Sequence, residues 1–499
     1  MNNSFDFSNF SKQSSKGIFV IYMNQIYKTI KTIWVLLFFG IKDFSKITNL
    51  STNYIYLILV FILLFLLVRA YLIYKNFLFK IENEHFILKE GILNKTNTSI
   101  PFHRIQNINF KQNLIQQIIG VYEVSIETAG SKDTEIAIKA LPLFKAEALK
   151  EIVSKSANFD KKIIIDDDKK PLVKIGIKEL FKVSLTENHL QNLILFLALI
   201  IGFYQQIEQV IDSLGRTEVL DGLIAESTDA LSTSFFLVTI LLIFLTITAL
   251  MTSFVKIFLV HFNLTAYLKE DAFEINQGLF TKKSIVLKKQ KVQSITISTN
   301  PLKQLIGISF ITFKQAVSGK VNVKKQKLIR IVGCKKEQVE IVKSSLFDFY
   351  ELENGKKNRP DNYYKRRIFS VTFLFTIILY ATLYFIFLQL EILYSAILVF
   401  PFFSFLIIKK VNKRFYKITD NMLLVGSGLI ETHLTYLEVF KVQNITMEQS
   451  FFQVKSNVAD IILQTASGKI NIPSIRLEDA IKIYNHTLYK VETSKTSWM

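Results

Sequence analysis

From Tyr54 to Tyr74 the chain runs for twenty-one residues with a single charge, Arg69. No other feature limits its folding as severely. A helix of that length crosses the ~30 Å hydrocarbon core of a bilayer, and in lipid only a helix or a closed barrel satisfies every backbone polar group. Ser234–Val260 repeats the pattern, with Lys256 near its end, and Ile368–Leu390 pairs with Ile392–Ile408 around Gln389 and Glu391. Two weaker runs complete the set. Leu190–Tyr204 is short, and Ile18–Ile41 is broken by Asn24, Gln25, Lys28 and Lys31. The first half of that last run is expected to lie as an amphipathic helix in the interface, and Ile33 onward to enter a span. The expected membrane part is six spans in three helical hairpins.

Charge orients them. A mean hydropathy of +0.30 stands beside a net charge of +20. Surplus apolar residues must be buried while surplus charge must be solvated, and a membrane protein meets both demands by partition. Gln205–Leu231 carries six acids against one base, Arg216, whereas Lys75–Glu187, His261–Arg366 and Lys409–Met499 carry +3, +12 and +4. Lysine and arginine are retained on the cytoplasmic side, so the three basic regions are expected in the cytoplasm and the acidic loop outside. The first seventeen residues are polar and Ser/Asn-rich, without a secretory signal pattern.

The three basic regions repeat one another without gaps. Gly91, Gly278 and Gly428 are each followed fifteen residues later by Gln106, Gln293 and Gln443, and fourteen beyond those by Gly120, Gly307 and Asn457. Glycine and asparagine are residues that tolerate positive φ. Two positions before each glutamine stands a base: Arg104, Lys291 and Lys441. Within a copy the apolar period is two, as in Tyr122–Thr128, which reads as strands. Asn113–Gly120 reads as a short helix ended by its glycine. Phe144–Lys155, Lys335–Phe349 and Leu477–Tyr489 read as amphipathic closing helices. Short strands and one helix make a small β-sandwich or partly open barrel in each copy.

Pro101-Phe102-His103-Arg104-Ile105-Gln106-Asn107-Ile108, then Leu114–Gly120, then Ile126-Glu127-Thr128-Ala129-Gly130 resemble the bacterial pleckstrin-homology domain of the YdbS/YdbT-like multi-pass membrane proteins. The resemblance runs from the Gln13–Gly17 region through the third copy. It departs in the second, where Lys291-Val292-Gln293 replaces Arg-Ile-Gln and the Thr-Ala-Gly end is missing, and in the third, where no glycine ends the short helix. It implies the three-domain type of that family: three pleckstrin-homology-like domains of seven strands and a capping helix, each preceded by a helical hairpin. It implies no catalytic residues.

The expected organisation is a polar N-terminus (1–17), a first hairpin (18–74), domain 1 (75–156), a linker (157–187), a second hairpin (188–260) with its acidic loop (205–231), and domain 2 (261–350). A basic linker (351–366), a third hairpin (367–408), domain 3 (409–491) and a tail (492–499) follow.

Residues for chemistry are sparse. Six histidines lie singly, without an i, i+4 pair, and Cys334 is the one cysteine. No phosphate-cradling glycine loop or nucleophile elbow occurs. His103 reads as a surface residue, and Asp166-Asp167-Asp168 as solvated linker. No enzyme, metal or cofactor is expected. The basic residues are more informative: Lys282, Lys283, Lys288, Lys289 and Lys291, then Lys324, Lys325, Lys327 and Arg330, all in the second copy. They are candidates for anionic lipid head groups, each lysine near an anionic leaflet contributing ~1 kcal/mol. The shared base before each glutamine fits a structural salt bridge equally well. The expected function is a scaffolding platform on the cytoplasmic face of the cell membrane, for partner proteins, a second membrane protein, a second copy of the chain or anionic lipids. A transporter or an export or resistance component using the six spans is the rival. The deep parts of the clear spans hold almost no charge, which disfavours it. Nucleic acid is not expected, for want of an aromatic-plus-basic signature.

Overall fold

The computed structural model describes residues 6–38, 52–128, 136–156, 170–187, 235–315, 329–347, 355–387 and 391–495, with the isolated positions 194, 198–199, 202, 205 and 352.

The first repeat opens with β1 (Ser11–Lys12) and the helices α1 (Gly17–Phe38) and α2 (Thr52–Asn76). It continues through β2 (Leu78–Glu82), β3 (His85–Glu90), β4 (Thr96–Pro101), β5 (Ile105–Gln112), α3 (Leu114–Ile119), β6 (Val121–Thr128), β7 (Ile136–Pro142) and α4 (Leu143–Ser156). The second comprises β8 (Val173–Lys174), α5 (Ile177–Leu185), α6 (Phe235–His261), β9 (Thr265–Leu268), β10 (Ala272–Gln277), β11 (Lys282–Lys288), β12 (Val292–Thr299), α7 (Pro301–Ile306), β13 (Ser309–Gln315), β14 (Ile329–Cys334) and α8 (Lys336–Ser344). The third comprises α9 (Asn362–Phe387), α10 (Glu391–Asn412), β15 (Phe415–Ile418), β16 (Met422–Gly428), β17 (Thr432–Glu438), β18 (Val442–Glu448), α11 (Phe451–Lys455), β19 (Val458–Thr465), β20 (Gly468–Arg476) and α12 (Leu477–Thr493).

Local chemistry places the boundaries. In α3 the Asn113 side chain accepts from the Gln116 backbone N–H, the Gln116 side chain accepts from the Asn113 N–H, and Gly120 closes the turn at φ 70°. Gly307 and Asn457 take the same left-handed place at φ 73° and 53°. The repeat glutamines Gln106, Gln293 and Gln443 are the residues skipped in the pairing of β5 with β6, β12 with β13 and β18 with β19. Each is the extra residue of a β-bulge.

Among the described residues three helical stretches are long and apolar enough to cross a membrane: Tyr56–Asn76, Ile243–His261 and Asn362–Ile386. α1 lies along α2, and α10 along α9. α1 is one continuous helix rather than an interfacial half and a separate span. Its start is held by the domain, with Val20 packed in one cluster with Val121 and Ala140. Most of Leu190–Tyr204, all of the acidic loop from Gln206 onward and Asp166–Asp168 lie outside the described residues.

Segments expected to be outside the domains belong to their cores. Phe7 is fully buried against Phe79, and its carbonyl accepts from the Ile81 N–H. Within the expected linker 157–187, Val173, Ile175, Leu180 and Val183 are buried in the second core. Their apolar positions are isolated among lysines, so the stretch reads as solvated although its minority face is inward. β1 pairs with β2, β8 pairs with β9 at the equivalent residues, and Asn358 bridges Tyr416 at the same place in the third repeat. In the first and third repeats the helix pair, and in the second the long helix α6, is therefore inserted after the first extended segment of its domain.

The sheets do not respect the repeats. The orders are β1-β2-β3-β4, then β7-β6-β5-β11-β10-β9-β8, then β14-β13-β12-β17-β16-β15, then β18-β19-β20. The last strands of one repeat pair with the first strands of the next, through β5 with β11 and β12 with β17. One core crosses the second seam: Met422, Leu424 and Tyr436 of the third repeat cluster with Ile295, Ile297 and Phe313 of the second. The other face of β16, with Leu423 and Val425, packs into the third domain's own core.

Candidate functional site

The surface that recurs in all three domains is a turn beside the end of a long apolar helix. The glycines set its shape. Gly91, Gly278 and Gly428 adopt φ 112°, 107° and 129°. A Cβ there would stand 1.9, 2.1 and 1.8 Å from the carbonyl oxygens of Asn94, Thr281 and Glu431. Each turn is tied to the adjacent helix. Asn76 Nδ2 donates to the Gly91 carbonyl (2.9 Å), the Leu279 N–H to the Leu259 carbonyl (3.0 Å), and Lys413 Nζ to the Ile430 carbonyl (2.5 Å). His261 Nδ1 lies 2.8 Å from Gln277 Oε1.

The short helices stand at the same level. Lys16 Nζ, one residue before α1, donates to the Ile119 carbonyl (2.8 Å), and Gln117 Nε2 donates to the carbonyls of Leu279 and Phe280. This end of the molecule shows apolar side chains to the outside. Leu93 is 94% exposed, Ile118 84% and Leu305 85%, and Phe451 and Phe452 are exposed as well. A soluble surface seldom gathers such residues at one end.

The lysines of the second repeat are divided by the fold. Lys282 and Lys283 follow the Gly278 turn, paired with Gln112 and Lys111 of the first domain. Lys288, Lys289 and Lys291 lie at the other end of β11, about 20 Å away at ~3.3 Å per residue. They do not form one cluster. At that far end partial burial pushes the Lys288 ammonium down to about 8, with Lys291 adding like-charge repulsion; burial lowers Lys291 also. Arg330, partly exposed, meets Glu187 (3.4 Å). Lys324, Lys325 and Lys327 lie outside the described residues.

The base before each glutamine has unequal fates. Lys441 is buried, its Nζ 2.6 Å from Glu438 Oε2 and 2.8 Å from the Val292 carbonyl across the seam. Arg104 is exposed, and Lys291 half-buried beside Lys288, which occupies the place of Glu438. The shared charge is structural in the third domain.

Sequence reading missed the seam itself. Lys303, 1% exposed, sends Nζ to Glu431 Oε1 (2.5 Å) across the second seam and over the Phe310 ring at 3.7 Å. Asn300 caps α7 and donates to the Thr186 carbonyl (2.6 Å). Thr296 and Thr435 hydroxyls meet at 3.1 Å. One signal was present: Met422-Leu423-Leu424-Val425 is an unbroken apolar run, the mark of a strand buried on both faces. Cys334 is buried, and burial pushes its thiol up to about 12, which disables it as a nucleophile. Among the described residues no three His, Cys, Asp or Glu side chains group to hold a metal.

The sequence profile described as "Bacterial PH domain" matches residues 36–157, 209–348 and 371–491. The chain is also similar to a protein of Bacillus subtilis (strain 168) called UPF0699 transmembrane protein YdbT. Identity is 23% over 494 residues, covering 93% of this chain and 95% of that one.

Proposed function

The chain belongs to the bacterial PH domain family, and from that premise we propose that it is a non-enzymatic membrane platform. Its three PH-like domains stand on the cytoplasmic face and present one rigid surface to partner proteins or anionic lipids. The observation that carries this reading is the pair of continuous sheets, which weld three domains into a single body under their helices. A transporter has no need of such a body, whereas a platform requires fixed spacing between its binding faces. The basic charge of all three domain regions supports the cytoplasmic side.

In this reading the glycine turns and short helices rest at the level of the lipid head groups. Exposed Leu93, Ile118, Leu305 and Phe451 dip into the interface, as apolar side chains at a membrane surface do. Lys282 and Lys283 meet the anionic leaflet, while Lys288 and Lys289 stand away from it.

Two measurements test the proposal. Cysteines placed at Asp221 and Ser318 are expected to react with an impermeant maleimide from opposite sides of sealed membranes, and reaction from the same side overturns the topology. In nanodiscs, anionic phosphatidylglycerol is expected to raise the melting temperature over phosphatidylcholine alone. Lys282→Glu with Lys283→Glu should abolish that increment, and Lys288→Glu with Lys289→Glu should leave it. Equal effects of the two pairs would defeat the assignment of the lipid-facing end.

A further inference from the structure

The two seams have the same register. Gln112 pairs with Lys282 and Asn107 with Leu287 across the first; Thr299 pairs with Thr432 and Ser294 with Leu437 across the second. By the repeat spacing these are identical positions. Among the described residues the series stops with one half of the seam unfilled at each end. β4, the counterpart of β11 and β17, is the last strand of its sheet, and β18, the counterpart of β5 and β12, is the last of its own. Both edges are lightly guarded. β4 reads Thr-Asn-Thr-Ser-Ile-Pro without a charge of its own, with Lys95 just before it and Pro101 at its end, and β18 carries only Glu448, where natural edges are commonly blunted by lysine, proline or an inward charge. Burial marks the vacancy. Seven of the eight residues of β12 are buried, against two of seven in β18.

We propose that β18 of one chain pairs antiparallel with β4 of a second copy, in the seam register, so that the sheets continue from molecule to molecule. Extending the register sets Glu448 opposite Thr96, Thr446 opposite Thr98 and Asn444 opposite Ile100. The central pair is the same chemistry as the second seam, where Thr296 and Thr435 join their hydroxyls. Arg104, exposed in the turn just before β5, occupies the place from which Lys441 reaches the Val292 carbonyl; its counterpart acceptor is the Val442 carbonyl of the other chain. A second copy is the fitting occupant because it alone brings the matching strand at a matching height, its helices held in the same bilayer, which raises the effective concentration. The contact is head-to-tail, so it propagates or closes into a ring rather than stopping at a two-fold dimer. This inference goes beyond the platform reading and does not depend on its ligand.

The test is disulfide trapping of the full-length chain in native membranes. Opposed residues of paired strands have Cβ atoms about 5 Å apart, near the separation a disulfide spans. Cells co-expressing a Thr98→Cys chain and a Thr446→Cys chain should, on mild oxidation, give a disulfide-linked species of twice the chain mass. Thr98→Cys alone should give at least tenfold less, as should Thr98→Cys with Met447→Cys, whose side chain points to the other face. Buried Cys334 stays out of the reaction. No mixed dimer, an equal yield from Thr98→Cys alone, or a disulfide only within a doubly substituted chain would overturn the proposal. The unmodified chain gives an independent reading: mass photometry in mild detergent should show multiples of the chain mass, and single chains at every concentration would overturn it as well.

Discussion

Lys303→Ala should lower the stability of the joined second and third domains by about 3 kcal/mol, the lower end of the cost of breaking a buried ion pair. The ammonium is almost fully enclosed, over the Phe310 ring and 2.5 Å from Glu431. Glu431 keeps about a quarter of its side chain exposed (27%), so water recovers part of the loss. Removing the lysine also empties the volume of its stem, and Lys303→Met separates the two effects. Methionine retains the packing on Phe310 and loses the charge, so it should cost less than alanine. The measurement is thermal unfolding in nanodiscs followed by circular dichroism. Because one core crosses the seam, the second and third domains should lose structure in a single transition in every variant. Lys303→Ala with an unchanged midpoint would mean that strand pairing and the shared core hold the seam without help from this ion pair.

The second large effect is backbone in origin. Gly428→Ala places a Cβ 1.8 Å from the Glu431 carbonyl oxygen at φ 129°, where a side chain is both strained and in collision. A cost of about 3 kcal/mol is expected, the upper part of the range for residues held in sparsely populated conformations. Gly120→Ala is the internal comparison. It too has positive φ, 70°, but nothing lies within 4 Å of its added Cβ, so only the left-handed penalty of roughly 1–2 kcal/mol applies. Melting temperatures of the two variants should therefore separate clearly. Equal shifts would show that the turn relaxes at little cost and does not hold its place beside the helix.

The repeat spacing made much of this legible before any coordinates. Gapless copies of Gly, base, Gln and Gly/Asn placed the glycine turns and the helix ends, because each of those positions makes a local backbone demand that few residue types meet; the bulges at the glutamines showed only in the strand pairing. The apolar runs marked the long helices for the same reason: lipid leaves the backbone no alternative. The closing helices at Leu143–Ser156 and Leu477–Thr493 were visible in their 3.6-residue period.

What stayed hidden was everything decided between repeats. The lysines of β11 form one group along the chain and two in space, because an extended strand separates its ends. Val173 and Leu180 read as linker, yet complete a core whose other side is more than eighty residues away in sequence. Periodicity states which face of a strand is apolar and says nothing of which strand lies beside it; that choice belongs to the edge hydrogen bonds, which every residue but proline offers alike. Hence three domains could be counted from the sequence. That β5 and β12 are filled by the next repeat, while β4 and β18 end their sheets among the described residues, was settled only by the tertiary structure.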